Sequence, residues 1–213
     1  MLKVKYFTFN PFAENTYLVF DEATRETAII DPGCFTDAEQ AELEQYIEEH
    51  ELVPTLLLNT HCHIDHVLGN AYVKRKWDIP FRIHELDRPT LEAIPAYAQV
   101  YGFTNYEAAT PDEYLTEGES IRIGSFHLKV IFTPGHAPGH VVFYAEDEKF
   151  CINGDCLFAG SIGRTDLPGG DYDTLINSIK TKLLSLPDET VVYCGHGPST
   201  TIKQERQHNP FLQ

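Results

Sequence analysis

The segment Thr60-His61-Cys62-His63-Ile64-Asp65-His66 places three imidazoles and a carboxylate in one short run. Imidazole and carboxylate are ligands that zinc, iron and manganese all accept. His61 and His63 lie two apart, so an extended backbone turns both to one side. Asp65 and His66 follow in the next turn and can reach a neighbouring position. One short segment can therefore feed two adjacent ions. Cys62, at the alternating position, is expected to face away. Structural zinc sites favour cysteines and closed four-fold coordination, so this set points to a reactive centre. The plain alternative is a solvated, histidine-rich turn.

Three more places repeat one design, in which a strand leads into glycine and then a ligand-type residue. Thr133-Pro134-Gly135-His136-Ala137-Pro138-Gly139-His140 follows the apolar run 126–132. Asn153-Gly154-Asp155 follows 150–152, and Cys194-Gly195-His196-Gly197 follows 191–193. Glycine lets the backbone turn sharply and pass close to a ligand. Each alone reads as a turn; with the first segment they describe a site. His136, Asp155 and His196 thus join His61, His63, Asp65 and His66 as candidate metal ligands. His140 lies four after His136, but Pro138 and Gly139 intervene, so helical spacing does not apply. It is expected beside the site rather than in it. His50, His84, His127 and His208 belong to no such constellation.

The elements that must position these residues alternate along the chain. Strands are predicted over 3–9, 16–20, 27–30, 55–58, 81–84, 120–123, 126–132, 141–144, 149–152 and 190–193, from β-branched and aromatic content bounded by turn residues. Helices are predicted over 36–49, 69–76, 85–101, 172–185 and 200–207. The first opens with a capping box, Thr36 to Glu39. Asp171 or Asp173 can cap the fourth. This order implies an α/β unit with helices outside sheets, and it sets the ligand turns at strand ends, where such sheets bind their ligands. The stretch 85–114 is the least regular and reads as an inserted lid or wall, or as a surface helix.

Composition narrows the partners. A chain of 213 residues can bury a substantial core as one domain over 1–213. Its aromatic share of 12% argues against disorder. No apolar run approaches the length of a membrane-spanning helix, and the opening MLKVKYFTFNPF reads as a strand rather than a leader. Sixteen Lys and Arg against thirty-two Asp and Glu leave a net charge of −16. Such a surface repels phosphate backbones, so neither nucleic acid nor an anionic membrane is expected as partner. Lys74-Arg75-Lys76 reads as a solvated helix face. The five cysteines are odd in number and form no C-x-x-C, which fits a reduced, cytoplasmic chain. A small molecule is the expected partner of a monomer or homodimer.

Together these motifs resemble the metallo-β-lactamase-fold superfamily. Within it the chain is similar to the short type II glyoxalases, or hydroxyacylglutathione hydrolases. The similarity runs from Asp31-Pro32-Gly33 to Gly195-His196-Gly197. It includes Leu157-Phe158-Ala159-Gly160-Ser161-Ile162-Gly163-Arg164-Thr165-Asp166 and the tail from Thr200-Thr201-Ile202 to Asn209-Pro210-Phe211-Leu212. The resemblance implies a four-layer αββα sandwich and two divalent metal ions, zinc first, with iron or manganese as alternatives. It assigns His61, His63 and His136 to one ion, Asp65, His66 and His196 to the other, and Asp155 to both. It implies hydrolysis of a thioester such as S-D-lactoylglutathione, with Asp65 orienting the attacking water and accepting its proton. The longer type II glyoxalases add a C-terminal helical domain that supplies glutathione contacts; the resemblance here is to the hydrolytic core.

On the same grounds Asp31 is expected to orient a ligating histidine. Arg164 and Asp166 are expected to form a buried ion pair near Asp155, with Arg164 gripping a substrate carboxylate as the alternative. Cys156 is read as a packing substitution, and Tyr144, Tyr172 and Tyr193 as packing residues. Other relatives mark the alternatives. Persulfide dioxygenases share the T-H-C-H-x-D-H motif and use one iron on the equivalents of His61, His136 and Asp155, but tend to carry Gly-Cys where this chain has Gly139-His140. β-Lactamases usually lack the histidine after the motif aspartate. tRNA-processing nucleases want a basic surface. A metal-stabilised binding protein is the non-enzyme alternative.

Overall fold

Two sheets carry the computed structural model, which describes Met1 to Gln213. The first begins with an antiparallel meander of β1 (Leu2–Phe9), β2 (Glu14–Asp21) and β3 (Glu26–Ile30). It continues in parallel through β4 (Val53–Leu58), β5 (Phe81–His84) and β6 (Glu113–Leu115). In the second, β7 (Ser120–Ile123), β8 (Phe126–Phe132), β9 (Val141–Ala145) and β10 (Phe150–Gly154) run antiparallel. β13 (Val191–Cys194) then pairs parallel with β10, and β14 (Thr200–Thr201) closes the edge. Between β10 and β13 in sequence lies a small hairpin of β11 (Leu157–Phe158) and β12 (Ser161–Ile162).

The sheets stack because each has two apolar faces. Every residue of β2, β9 and β10 is buried, as strands covered on both sides must be. Leu58, Val130, Phe143 and Ile152 belong to the cluster between the sheets. A second cluster lies outside the first sheet, where Leu43 and Ile47 of α1 (Asp37–Glu49), Val67 of α2 (Ile64–Val67) and Val73 of α3 (Asn70–Trp77) meet Leu57 and Phe81. A third lies outside the second sheet, where Leu175 of α5 (Tyr172–Ser178) and Ile202 of α6 (Ile202–His208) meet Val142 and Val192. The result is the expected four-layer αββα sandwich. All five cysteines are buried and unpaired. No helix is long and apolar enough to cross a membrane.

Three predicted helices need correction. The stretch 85–101 is not one helix but a tight turn at Glu85–Asp87, α4 (Arg88–Ala93), and two further 3-10 turns at Ile94–Ala96 and Ala98–Tyr101. Pro89 and Pro95 each start a new segment, because proline lacks the N–H that would continue the preceding one. The helix predicted over 172–185 is α-helical only to Ser178 and then widens into a π turn over Ile179–Leu183. The last helix begins at Ile202, because Thr200 and Thr201 first pair with β13. Asp171 caps α5, and the capping box at Thr36 and Glu39 is formed.

Candidate metal centre

Four strand ends converge on one point. β4 runs into Asn59 and Thr60, after which come His61, His63 on extended backbone, and Asp65 and His66 in α2. The loop after β8 brings His136, the end of β10 brings Asp155, and the end of β13 brings His196. Two of these turns tolerate only glycine. A Cβ on Gly195 would stand 2.1 Å from Asp155 Oδ1. Gly154 has φ +54°, and its Cβ would meet Thr60 Oγ1 at 2.4 Å.

The seven candidate ligands meet as two adjacent groups. His136 Nε2 lies 2.9 Å from His63 Nδ1 and 3.2 Å from His61 Nε2. On the other side, His66 Nε2 lies 3.6 Å from Asp65 Oδ2, and His196 Nε2 lies 3.1 Å from the same oxygen. Asp155 stands between: Oδ1 is 3.5 Å from His66 Nε2, while Oδ2 is 3.6 Å from His136 Nε2 and 3.4 Å from His196 Nε2.

The outer hydrogen bonds fix which ring nitrogens face inward bare. His136 Nδ1 donates to the Arg164 carbonyl at 2.8 Å, so its Nε2 carries a lone pair. Thr60 Oγ1 donates to Asp31 Oδ2 at 2.6 Å and accepts from His61 Nδ1 at 3.1 Å, so His61 Nε2 is bare too. These tautomers follow from the network. Two lone pairs facing each other at 3.2 Å repel unless a cation lies between them. In the second group His66 Nε2 and Asp155 Oδ1 are buried with no hydrogen-bond partner, a costly arrangement that a cation would relieve. The donor set therefore fits metal in both groups.

The electrostatics divide the same way. Burial, with the neighbouring histidines, holds His61 well below the usual imidazole range. Burial and His136 push His63 down to about 3, and burial also lowers His136. These three rings are neutral. Burial works against charge on His196 as well, but hydrogen bonds to Asp155 and Asp65 raise it to about 10. His66 is raised against its burial by Asp65 and Asp155. Burial would raise Asp155, yet His66 and His196 hold it well below the usual carboxylate range. The second group keeps protons where positive charge is demanded.

A ring of buried polar groups supports the ligands. Asp31, in the left-handed region at φ 50°, accepts from Thr60 N, Asn59 Nδ2 and His66 Nδ1 at 2.7, 3.2 and 3.2 Å. Its role beside a candidate ligand is as expected, and the strained backbone is what aims it. His140 is buried; it accepts from Asp155 N at 3.1 Å and contacts Thr133 Oγ1 at 2.9 Å. It supports the site without facing the cluster centre.

Three supports were not foreseen. Asn15 Nδ2 donates to the carbonyls of Cys194 and Gly197, bracketing His196. Glu14, wholly buried, leaves Oε1 unpartnered 3.9 Å from His66 Nδ1; burial raises its pKa well above normal, opposed by His66. Asp87 accepts from Cys62 N at 2.6 Å and Gly139 N at 2.7 Å, tying two ligand loops together. The polar pair Glu14-Asn15 opening an apolar strand was the available signal for the first two.

Other expectations are corrected. Arg164 and Asp166 do pair, Nε to Oδ1 at 2.7 Å and Nη2 to Oδ2 at 2.8 Å, but on the surface, with side chains 60% and 69% exposed. Spacing of two on a loop leaves nothing to cover them. It is the Arg164 carbonyl, not its side chain, that touches the ligand cluster. Tyr172 is exposed rather than packed. Cys62 and Cys156 are buried in the clusters outside the sheets, facing away from the ligands as expected. Above the cluster opens a cleft of about 1200 Å³, lined by His63, Asp65, His136, Asp155 and His196 at its base. The segment 85–101 forms one wall through Leu86, Ala93, Val100 and Tyr101.

Comparison with known proteins matches residues 9–196 to the model of the metallo-beta-lactamase superfamily. The chain belongs to that superfamily. Among superfamily relatives, the Haemophilus influenzae protein named hydroxyacylglutathione hydrolase GloC is 42% identical over 94% of this chain and 93% of its own length. The crystal structure of BLEG-1, described as a B3 metallo-beta-lactamase, is 40% identical with a TM-score of 0.89, covering 99% of this chain and 100% of the other. TTHA1623, solved in a di-iron-bound form, is 39% identical with a TM-score of 0.85, covering 98% and 100%. ETHE1 from Myxococcus xanthus is 26% identical with a TM-score of 0.80, covering 98% and 83%.

Proposed function

We propose that this member of the superfamily is a metal-dependent thioester hydrolase of the hydroxyacyl-thiol kind, acting as one catalytic unit over 1–213 on a small molecule. The observation that carries this is the pair of donor groups joined by Asp155 at the base of an open cleft. His61, His63 and His136 would hold one divalent cation and Asp65, His66 and His196 a second, with Asp155 shared. When bound, such a pair acidifies a water and stabilises the oxyanion formed from a carbonyl.

The protein's own groups do the rest. Asp65, partly open to the cleft and 3.1 Å from His196, orients the attacking water and takes its proton. The water oxygen bonds the acyl carbon, the carbon–sulfur bond breaks, and the sulfur leaves with the electron pair. The products are a carboxylic acid and a thiol. A thiolate leaves readily, so no dedicated general acid is required. Asp31 and Thr60 keep the rings of His66 and His61 in place while charge builds. The name of the GloC relative supports the substrate class, and the di-iron form of TTHA1623 supports a two-ion centre.

The test is metal content of protein purified without added metal, run beside hydrolysis of S-D-lactoylglutathione. About two ions per chain with thioester cleavage is the expected result. A single iron, no thioester cleavage, and oxygen uptake with glutathione persulfide would overturn the reading in favour of the dioxygenase alternative. Turnover of a β-lactam without thioester cleavage would overturn it in favour of a lactamase.

A further inference from the structure

Apart from the donor cluster at its base, the cleft offers little positive charge to a glutathione body. Glutathione thioesters carry a pair of carboxylates against a single ammonium. Among the residues lining the cleft, Arg164 is the only lysine or arginine. Its guanidinium is already engaged, fork to fork, by the Asp166 carboxylate. Asp166 is held down to about 2 first by that hydrogen bond, so the pair stays ionised and neutral in sum across the working pH range. Around it the chain carries a net charge of −16, which disfavours the approach of an anion.

What the walls do offer is apolar surface. Leu86, Val100 and Tyr101 face the cleft from one side and Phe12, Phe158 and Leu167 line it elsewhere. Val100 is 84% exposed and Tyr101, Leu86 and Phe12 are also open to solvent. Exposed apolar side chains gathered at the mouth of one site mark a surface meant to be covered. Here the cover is a ligand, because these side chains share a cleft with the donor cluster.

We propose that the cleft takes thioesters whose body is uncharged and apolar, and that the Arg164–Asp166 pair discriminates against anionic thiols, because the single lysine or arginine of the cleft lining is already paired. This rests on the thioesterase reading above and narrows it. The Arg164 side chain acts on specificity; nothing assigns it a part in bond cleavage.

The experiment compares three substrates on the metal-loaded enzyme. S-D-lactoylglutathione and S-D-lactoyl-N-acetylcysteamine share the acyl group and differ in thiol charge. S-hexanoyl-N-acetylcysteamine then adds an apolar acyl chain. We expect kcat/KM to rise along that series, by about tenfold for the apolar acyl step alone. Added salt should lower KM for the glutathione substrate only, by screening the acidic surface. Asp166→Asn should raise kcat/KM for S-D-lactoylglutathione relative to that for the neutral thioesters, through KM. A wild-type preference for S-D-lactoylglutathione, or a ratio unmoved by Asp166→Asn, overturns the inference and leaves the thioesterase reading standing. Equilibrium binding of S-hexyl-N-acetylcysteamine and S-methylglutathione, thioethers that cannot be hydrolysed, separates the two claims. Tighter binding of the neutral thioether without any thioester turnover keeps the apolar cleft and rejects the reaction.

Discussion

The base and the walls of the cleft are built on opposite terms. At the base, His61, His66 and His136 are buried and each has its outer ring nitrogen within hydrogen-bonding distance of a fixed partner. Those partners are themselves held, as Asp31 is by Asn59 and Thr60. On the wall of residues 85–101, the chain breaks into short turns and Leu86, Val100 and Tyr101 face solvent. The base is over-determined; on the wall Leu91, Ile94 and Ala98 are held in the core, and only the exposed cleft-facing side chains are free to vary. Chemistry demands fixed geometry to a fraction of an ångström, whereas recognition of apolar bodies demands only surface of about the right shape. Stability and function therefore coincide at the base and separate on the wall.

The largest effect should come from the residue shared by both donor groups. Asp155→Asn is expected to lower kcat by more than about a hundredfold, beyond what loss of an outer partner costs, and to reduce bound metal by elemental analysis. Retention of full activity would break the comparison at its strongest point. Asp31→Ala should weaken metal binding by about 10- to 100-fold, with its effect on KM the lesser one. A chelator competition titration reads this directly.

Asp87 sits where base and wall meet, so it tests whether they are separable. Asp87→Ala leaves the Cys62 and Gly139 amides without their buried acceptor, at a cost of about 1–3 kcal/mol per orphaned group. We expect a lower denaturation midpoint together with weakened metal binding. A change in KM alone would mean that Asp87 belongs to the wall.

The two donor groups should also differ in pH dependence. In the metal-free protein His196, raised to about 10, is protonated at pH 7. His66 of the same group is raised as well, so an entering cation displaces both protons and affinity there rises with pH by more than about tenfold per unit while both are bound. His61, His63 and His136 are all lowered, His63 to about 3, and release no proton at neutral pH. Affinity in that group should be flat between about pH 6 and 8. Metal titrations at three pH values give the two slopes; equal slopes would merge the groups into one. The smallest effect belongs to the wall: Val100→Ser should raise KM for apolar thioesters several-fold and shift stability by no more than about 0.5 kcal/mol, as exposed substitutions do.

This contrast also explains what could be read from the residues alone. The seven candidate ligands were legible because each sits in a local pattern of strand, turn and ligand type, and those patterns need no knowledge of distant contacts. The αββα layering followed from the resemblance; the alternation of elements reached only sheets with helices outside. Asn15 was not legible as a support, since the carbonyls it binds lie 179 and 182 positions away. Asp87 likewise acts on Gly139, 52 positions on. The single helix expected over 85–101 breaks at Pro89 and Pro95, which lack the amides to continue the preceding turn, and of the two readings of 85–114 it is the wall that lines the cleft. The Arg164–Asp166 pair was correctly joined and wrongly buried: pairing is chemistry, but depth depends on what packs above.

The wall segment leaves and rejoins the first sheet at nearly one place. Asp87, just after β5, anchors its start between two ligand loops. At its end Asp112 closes back onto Phe81 of β5, donating its N–H to the Phe81 carbonyl and accepting the Phe81 N–H on Oδ2, each at 2.8 Å. A loop whose ends are clamped so near each other can change length at little entropic cost. Leu91, Ile94, Ala98 and Phe103 of the 88–111 stretch are buried in the cluster outside the first sheet. Evolution, or a protein engineer, can therefore vary its length and its exposed cleft-facing side chains to bring new substrates to the same base, provided those apolar anchors and the two hinge aspartates are kept.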